Sequence, residues 1–358
     1  MKFLIVGNFL TQKNLKINLS FILFLFFFFN SFAQRDSAVS SLRVSELEIQ
    51  KLLKPTFYSK IERERVEGNK LMIAEFDKFI DDPKVLDYDF DSLKKDISIL
   101  SSQDKKFKLF TWNLFKDDGT HFFFGYLVVN NSKKIKTGFF SHRITSEFES
   151  FKLVDFSNSA KSPEQYIGSC DKWFGMIYYS VIDCDGYYIL LGYDPNNNLI
   201  RRKFIDVLFF RPDGSPVFGK DVFKIPKKNP RRIMFEYSAD VTMSLKFSER
   251  RDEIIYSHLS SKQEGLLDGQ YQFYGPDGSY DALELKDNKW IPAEPEDQRE
   301  IASSKETKDL LTFNKDSYNK FVGFIGYEKS NRYLVFKTKD MTSTRDTGAR
   351  CDEAGKAK

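Results

Sequence analysis

Paired carboxylates are the first chemistry to look for in this chain, because acid and base work on a glycosidic bond needs two of them about 5–9.5 Å apart. Two pairs offer themselves. Glu236 and Asp240 share one side of the run Ile233–Phe247 (IMFEYSADVTMSLKF), and Asp277 and Asp281 bracket the segment GPDGSYDA. On a straight strand, four residues at about 3.3 Å each set the Cα atoms of Glu236 and Asp240 about 13 Å apart. A sharp bend is needed to make them a pair, whereas a strand with one solvated face needs nothing more, and that plainer account is favoured. Asp277 sits in a Gly-Pro-Asp-Gly turn, where an aspartate normally satisfies its own backbone. The four are therefore candidates for a hydrolytic site only if separate strands bring them together.

The other reactive residue types are sparse. His121, His142 and His258 are scattered, no CxxC occurs, and Asp183 and Asp185 flank Cys184 in the turn DCDG without the six to eight oxygens that calcium requires. No metal site is expected. No GxSxG elbow, phosphate-binding loop, dinucleotide fingerprint or HExxH is present, so no cofactor is expected. Cys170 and Cys184 bracket the run Trp173–Ile182 and are candidates for a disulfide; two free buried thiols are the equal alternative. Trp173, Tyr178, Tyr179, Tyr187, Tyr188, Tyr271, Tyr274 and Trp290 are rich enough in ring surface to stack on a glycan or peptide, although core packing accounts for most of them.

Compartment follows from the first residues. Lys13 and Lys16 precede an almost wholly apolar run, Ile17–Phe29, and Ser31-Phe32-Ala33 supplies the small residues of a cleavage site. Residues 1–33 are read as a secretory signal peptide, with an uncleaved leader as the one route to a membrane. The formal charge of +4 drops to +1 once Lys2, Lys13 and Lys16 are removed. An exported protein of near-neutral charge is a poor partner for nucleic acid, and the basic stretch Lys227-Lys228-Asn229-Pro230-Arg231-Arg232 reads as a solvated turn.

The elements that must position these residues follow from periodicity. Residues 34–105 read as a Ser-rich linker followed by helices. One carries Ile61, Val66, Leu71, Ile73, Phe76 and Phe79 at helical spacing, with Pro55 as a break or first turn, and a second runs Ser92–Leu100. From residue 106 the period becomes two. About ten strands are expected over 106–291, separated by turn signals such as DDGT, DCDG, RPDG, GPDG and DNK. Lys203–Phe210 is apolar on both faces except at Asp206, the mark of an interior strand. Ile233–Phe247 alternates strictly but is too long for a typical strand of about 3–10 residues, so a bend or break is expected at Ser238–Asp240. Residues 292–308 read as a polar linker and 309–358 as a small α+β segment that stops within a helix-like run, as a truncated frame would.

Short turns between strands, with few helical periods among them, specify a mainly β fold. It is expected to be a large antiparallel meander closing as a barrel, a sandwich or an irregular propeller. The segments SSQDKKFKLFTWN (101–113), GYYILLGYDPNNN, RKFIDVLFF, FEYSADVTMSLKF and GPDGSYDALEL together resemble secreted proteins of Bacteroidetes-type bacteria to which no activity is assigned. The resemblance covers residues 35–291. It implies export and a β-rich domain, and it brings no catalytic residue. The functional expectation is a non-enzymatic binding or scaffolding domain of the cell envelope, with a glycan, peptide or protein as partner. The alternative is a secreted hydrolase using carboxylates from separate strands.

Overall fold

The computed structural model describes residues 41–136, 142–145, 148–226, 228–261 and 265–293. The signal peptide, the region 309–358, nearly all of the linker 292–308, Lys227 and Cys351 lie outside the described residues.

Two helices open the fold: α1 over 41–58 and α2 over Glu62–Phe79. The Ser-rich stretch expected as a linker is thus helical from residue 41, and α1 runs through Pro55 instead of breaking there. Tertiary burial decides this. Leu42, Ile49, Leu53 and Phe57 are all buried in one core. The period expected for α2 is present, but the buried stripe is Arg65, Gly68, Asn69, Met72, Glu75, Phe76 and Phe79, while Ile61 and Leu71 are exposed. Three polar or charged residues on the buried face masked it in the sequence. Arg65 donates to the Phe115 and Ser59 carbonyls, and Asn69 Oδ1 accepts from Trp112 Nε1 at 2.8 Å.

Fifteen strands follow among the described residues. They are β1 Ser98–Ser101, β2 Phe107–Phe115, β3 His121–Asn130, β4 Lys133–Lys136, β5 His142–Thr145, β6 Phe148–Val154, β7 Ile177–Cys184, β8 Tyr187–Asp194, β9 Ile200–Phe210, β10 Pro216–Phe218, β11 Ile233–Ser238, β12 Leu245–Ser248, β13 Glu253–Ser261, β14 Tyr274–Lys286 and β15 Lys289–Pro292. All strand pairings are antiparallel. They make three main sheets: β1-β2-β3-β6; β10-β9-β8-β7, with β11 also on β9; and β12-β13-β14-β15. None closes on itself, so the meander is an irregular stack of open sheets and not a barrel.

The layers are joined by three cores. The helices pack on one face of the first sheet through Phe110, Trp112, Tyr126 and Val128. Its other face, with Phe107, Leu109, Leu127 and Val129, packs on Leu190, Phe204 and Leu208 of the second sheet. Ile189, Leu191, Ile205 and Val207 on the far side meet Leu245, Ile254, Leu283 and Trp290 of the third. This sandwiching explains why β2, β8 and the middle of β9 are buried on both faces. Gly125 serves the close approach of β2 and β3, since a Cβ there would stand 2.4 Å from the Phe110 carbonyl oxygen.

Three expected elements differ. Ser92–Leu100 is not a helix: the chain turns after Phe90 and enters β1, whose residues pair with Lys108–Thr111 of β2. The boundary expected at residue 106 therefore falls within the first sheet. GPDG does not end a strand. It is a bulge inside β14, where Tyr280 pairs with Ser257 and Pro276 with Leu259, leaving three residues opposite His258. Gly278 takes φ +98° there, a conformation open to glycine. Gln270–Tyr274, expected as a strand, is a turn of 3-10 helix over Tyr271–Phe273 leading into β14. Ile233–Phe247 does break at the expected point, β11 joining the second sheet and β12 the third.

One buried group ties this packing to pH. His121, at the start of β3, lies against Phe115, and its Nδ1 is 2.6 Å from Asn113 Nδ2. Burial pushes its pKa down to about 3. Between pH 6.5 and 3 the unfolded chain therefore binds the proton that the folded chain refuses, and stability falls as pH falls through that window. Denaturant midpoints at pH 7 and pH 5 should show a loss on the order of 2 kcal/mol attributable to this residue. The His121→Gln variant should lose correspondingly less over the same interval. Equal losses in both proteins would refute the assignment.

Candidate functional site

Each of the four sequence-picked carboxylates has its own surroundings. Glu236, on β11, accepts from Arg202 Nε of β9 at 2.8 Å, and Arg202 also approaches Asp194 at 3.6 Å. Asp240 is exposed in the turn after β11. Asp277 accepts from the Ser279 N–H at 2.8 Å and hydroxyl at 2.7 Å, and these bonds hold its carboxyl below the usual range. Asp281 lies 2.8 Å from His258 Nδ1. That contact raises the histidine's proton affinity, with a smaller contribution from Asp277. The β14 bulge thus gathers Asp277, His258 and Asp281 on an exposed face.

The aromatic residues divide between core and surface. Trp173 and Tyr178 are fully buried in the second core, where Trp173 Nε1 donates to Tyr178 Oη, which in turn donates to Asp206 Oδ2 at 2.7 Å. Tyr188 donates to Asp104, and Tyr179 donates to the Leu245 carbonyl at 3.0 Å. Tyr187 and Trp290 are buried in the third core. Tyr271 and Tyr274 remain at the surface with ring centroids 5.3 Å apart. The disulfide considered for Cys170 and Cys184 is not formed. Cys170 packs in the second core and Cys184 against the third, so the second sheet stands between two free thiols.

What the structure does assemble is a groove of about 700 Å³ between the second and third sheets. One wall is β7, from Ser180 to Cys184, with Asp185 of the following turn. The other is β12 and its turn, through Lys246, Phe247, Glu249 and Asp252. Gln103, from the β1–β2 turn, reaches in from the first sheet, and Leu285 and Trp290 complete the lining. None of Glu236, Asp240, Asp277 and Asp281 lines it. β7 and β12 are the outermost strands of their sheets, so each presents an edge with no strand partner among the described residues.

Charge and hydrogen bonding give this groove its chemistry. Four carboxylates, Asp183, Asp185, Glu249 and Asp252, face one ammonium, Lys246. Asp183 Oδ2 accepts from the Asp104 N–H at 3.1 Å, but its Oδ1 is buried without a partner, and burial raises the carboxyl's pKa. Trp290 is 1% exposed, and its Nε1 lies beside the equally buried Tyr187 hydroxyl. Cys184 is a slow nucleophile here, because burial pushes its thiol up to about 11. Among the described residues no group of three or more His, Cys, Asp or Glu is arranged to hold a metal ion.

Sequence reasoning found two parts of the groove, the DCDG turn and Trp290, without linking them. The lining comes from five chain segments spread between residues 103 and 290, and no spacing rule joins them. The useful signal was the over-long alternating run at Ile233–Phe247, whose break hands the chain from one sheet to the next and leaves β12 as an edge. Comparison with protein-family models, with curated proteins and with solved structures returned no match.

Proposed function

We propose that this chain is an exported, non-enzymatic binding domain of the bacterial cell envelope, and that the groove between β7 and β12 is its binding site. The observation that supports this most directly is the groove itself, concave, lined by four carboxylates and by apolar side chains, and flanked by strands that end their sheets among the described residues. Sites that hold ligands combine an apolar lining with a few convergent polar groups. The hydrolase alternative has less behind it. Glu236, Asp277 and Asp281 are each held by a different partner, and none of the four candidate carboxylates enters the groove.

The test joins compartment to site. Cells making the tagged full chain are fractionated, and the protein is then used to retain material from envelope fractions. The chain should be recovered outside the cytoplasm. The Gln103→Trp variant, which fills the groove from an exposed turn position, should retain less than the wild type. Recovery in the cytoplasm with the leader intact, or equal retention by the variant, would refute the proposal.

A further inference from the structure

The lining of the groove specifies more than a concave surface. Its floor and walls include Val181, Ile182, Leu191, Phe247, Leu285 and Trp290, so a ligand must bring apolar surface. Its rim sets four carboxylates against one lysine, so a ligand gains by carrying positive charge and an anionic one is repelled. Both flanking strands end their sheets; the Tyr178 N–H and carbonyl of β7 are taken by Thr111 and Ser98 and the Leu245 carbonyl of β12 by Tyr179, so the main chain of β7 from Ser180 to Cys184, along the groove, is the edge offered for pairing.

Resting on the reading of the groove as the binding site, we infer that its occupant is an extended peptide segment bearing lysine or arginine, added as a strand to the outer edge of β7 where that edge lines the groove. Main-chain hydrogen bonds to a sheet edge supply the affinity in this mode, and alternate side chains point into and out of the groove. The inward ones meet the apolar floor, and the outward ones meet the carboxylates of the two turns. A neutral saccharide would gain nothing from the excess of acid.

The full chain is tested with a synthetic peptide of alternating valine and lysine. Binding is read by fluorescence anisotropy and by protection of Cys184 from a maleimide, located by peptide mapping. Cys184 lines the groove and is partly exposed, whereas Cys170 is buried. The expected result is saturable binding that protects Cys184 and weakens as salt is raised. Glu249→Gln and Asp252→Asn should each weaken it by about two- to fivefold. The same peptide methylated at alternate backbone nitrogens should fail, because it keeps its charge but cannot complete a strand pairing. Equal binding of the methylated peptide would overturn the inference. So would stronger Cys184 protection by a valine–glutamate peptide or by a neutral chito-oligosaccharide; in that case the groove remains a binding site and only its occupant changes. If no probe protects Cys184 and Gln103→Trp leaves envelope retention unchanged, the underlying reading of the groove falls with it.

Discussion

Replacing Asp206 with alanine should destabilise the protein by about 3–5 kcal/mol, the cost of leaving a buried cation without its counter-ion. Asp206 and Arg232 are both fully buried, one on the central strand β9 and the other just before β11. Arg232 Nε donates to Asp206 Oδ1 at 3.0 Å; Nη2 lies equally close but is not aligned for a hydrogen bond. Nη1 donates to the Pro163 carbonyl, and the guanidinium stands over the rings of Phe174 and Tyr166. The other carboxylate oxygen accepts from Tyr178, which accepts from Trp173. One aspartate thus holds together β7, β9 and the long connection that precedes β7. Urea unfolding followed by tryptophan fluorescence measures the loss. The pair itself need not be stabilising, since charges removed from water recover only part of their hydration through each other. Asp206→Leu combined with Arg232→Met should therefore recover much of what Asp206→Ala loses. A single variant within about 1 kcal/mol of wild type would show that Arg232 finds solvent or another partner.

That network also marks the limit of the sequence. Asp206 was visible as the polar exception in an apolar run, but Arg232 lay in a basic stretch that reads as a solvated turn. Nothing local separates a buried arginine from an exposed one; its partner 26 residues away does. The same cause explains the other differences. Strict alternation located β11 and β12, and Asp-Gly and Asn-bearing turns located the hairpins, because both signals are local. The stretch at 41–58 was lost because its serines read as a linker and Pro55 as a break, although Leu42, Ile49 and Leu53 keep helical spacing and pack into the first core. The β6 strand was lost because its burial is partial, with Leu153 alone fully covered. GPDG has the composition of a turn and serves as one, but within a strand whose pairing resumes on either side. For the site, the residue types with reactive chemistry were easy to find, and none of the four candidate carboxylates lines the groove. The groove is made of main-chain edges and scattered carboxylates, whose meeting is a property of sheet stacking.

The helical layer provides the second large effect. Phe76 of α2 is fully buried, and its ring lies 5.1–5.5 Å from those of Phe79, Phe110, Trp112 and Tyr126. Three of these belong to β2 and β3, so Phe76 is the contact through which the helices sit on the first sheet. Phe76→Ala removes a ring from a close-packed cluster and leaves a cavity that β2 and β3, paired on their far side with the second sheet's core, cannot collapse to fill. The expected cost is about 3–5 kcal/mol. It should not fall evenly. Arg65 to the Phe115 carbonyl, Asn69 to Trp112, and Asp77 to Tyr126 and Lys152 are polar bonds that remain between α2 and the sheet, so amides of 41–79 should exchange with solvent well before those of β8 and β9. Hydrogen exchange of the variant against the wild type reads this directly, and uniform acceleration across both regions would refute a separately attached helical layer. The groove lies between the second and third sheets, with the whole first sheet between most of its lining and α2. A variant loosened only at the helices should therefore bind the valine–lysine peptide as the wild type does. A matching loss of binding would mean that the helices hold the Gln103 turn in place through β1 and β2, making the first sheet part of the site.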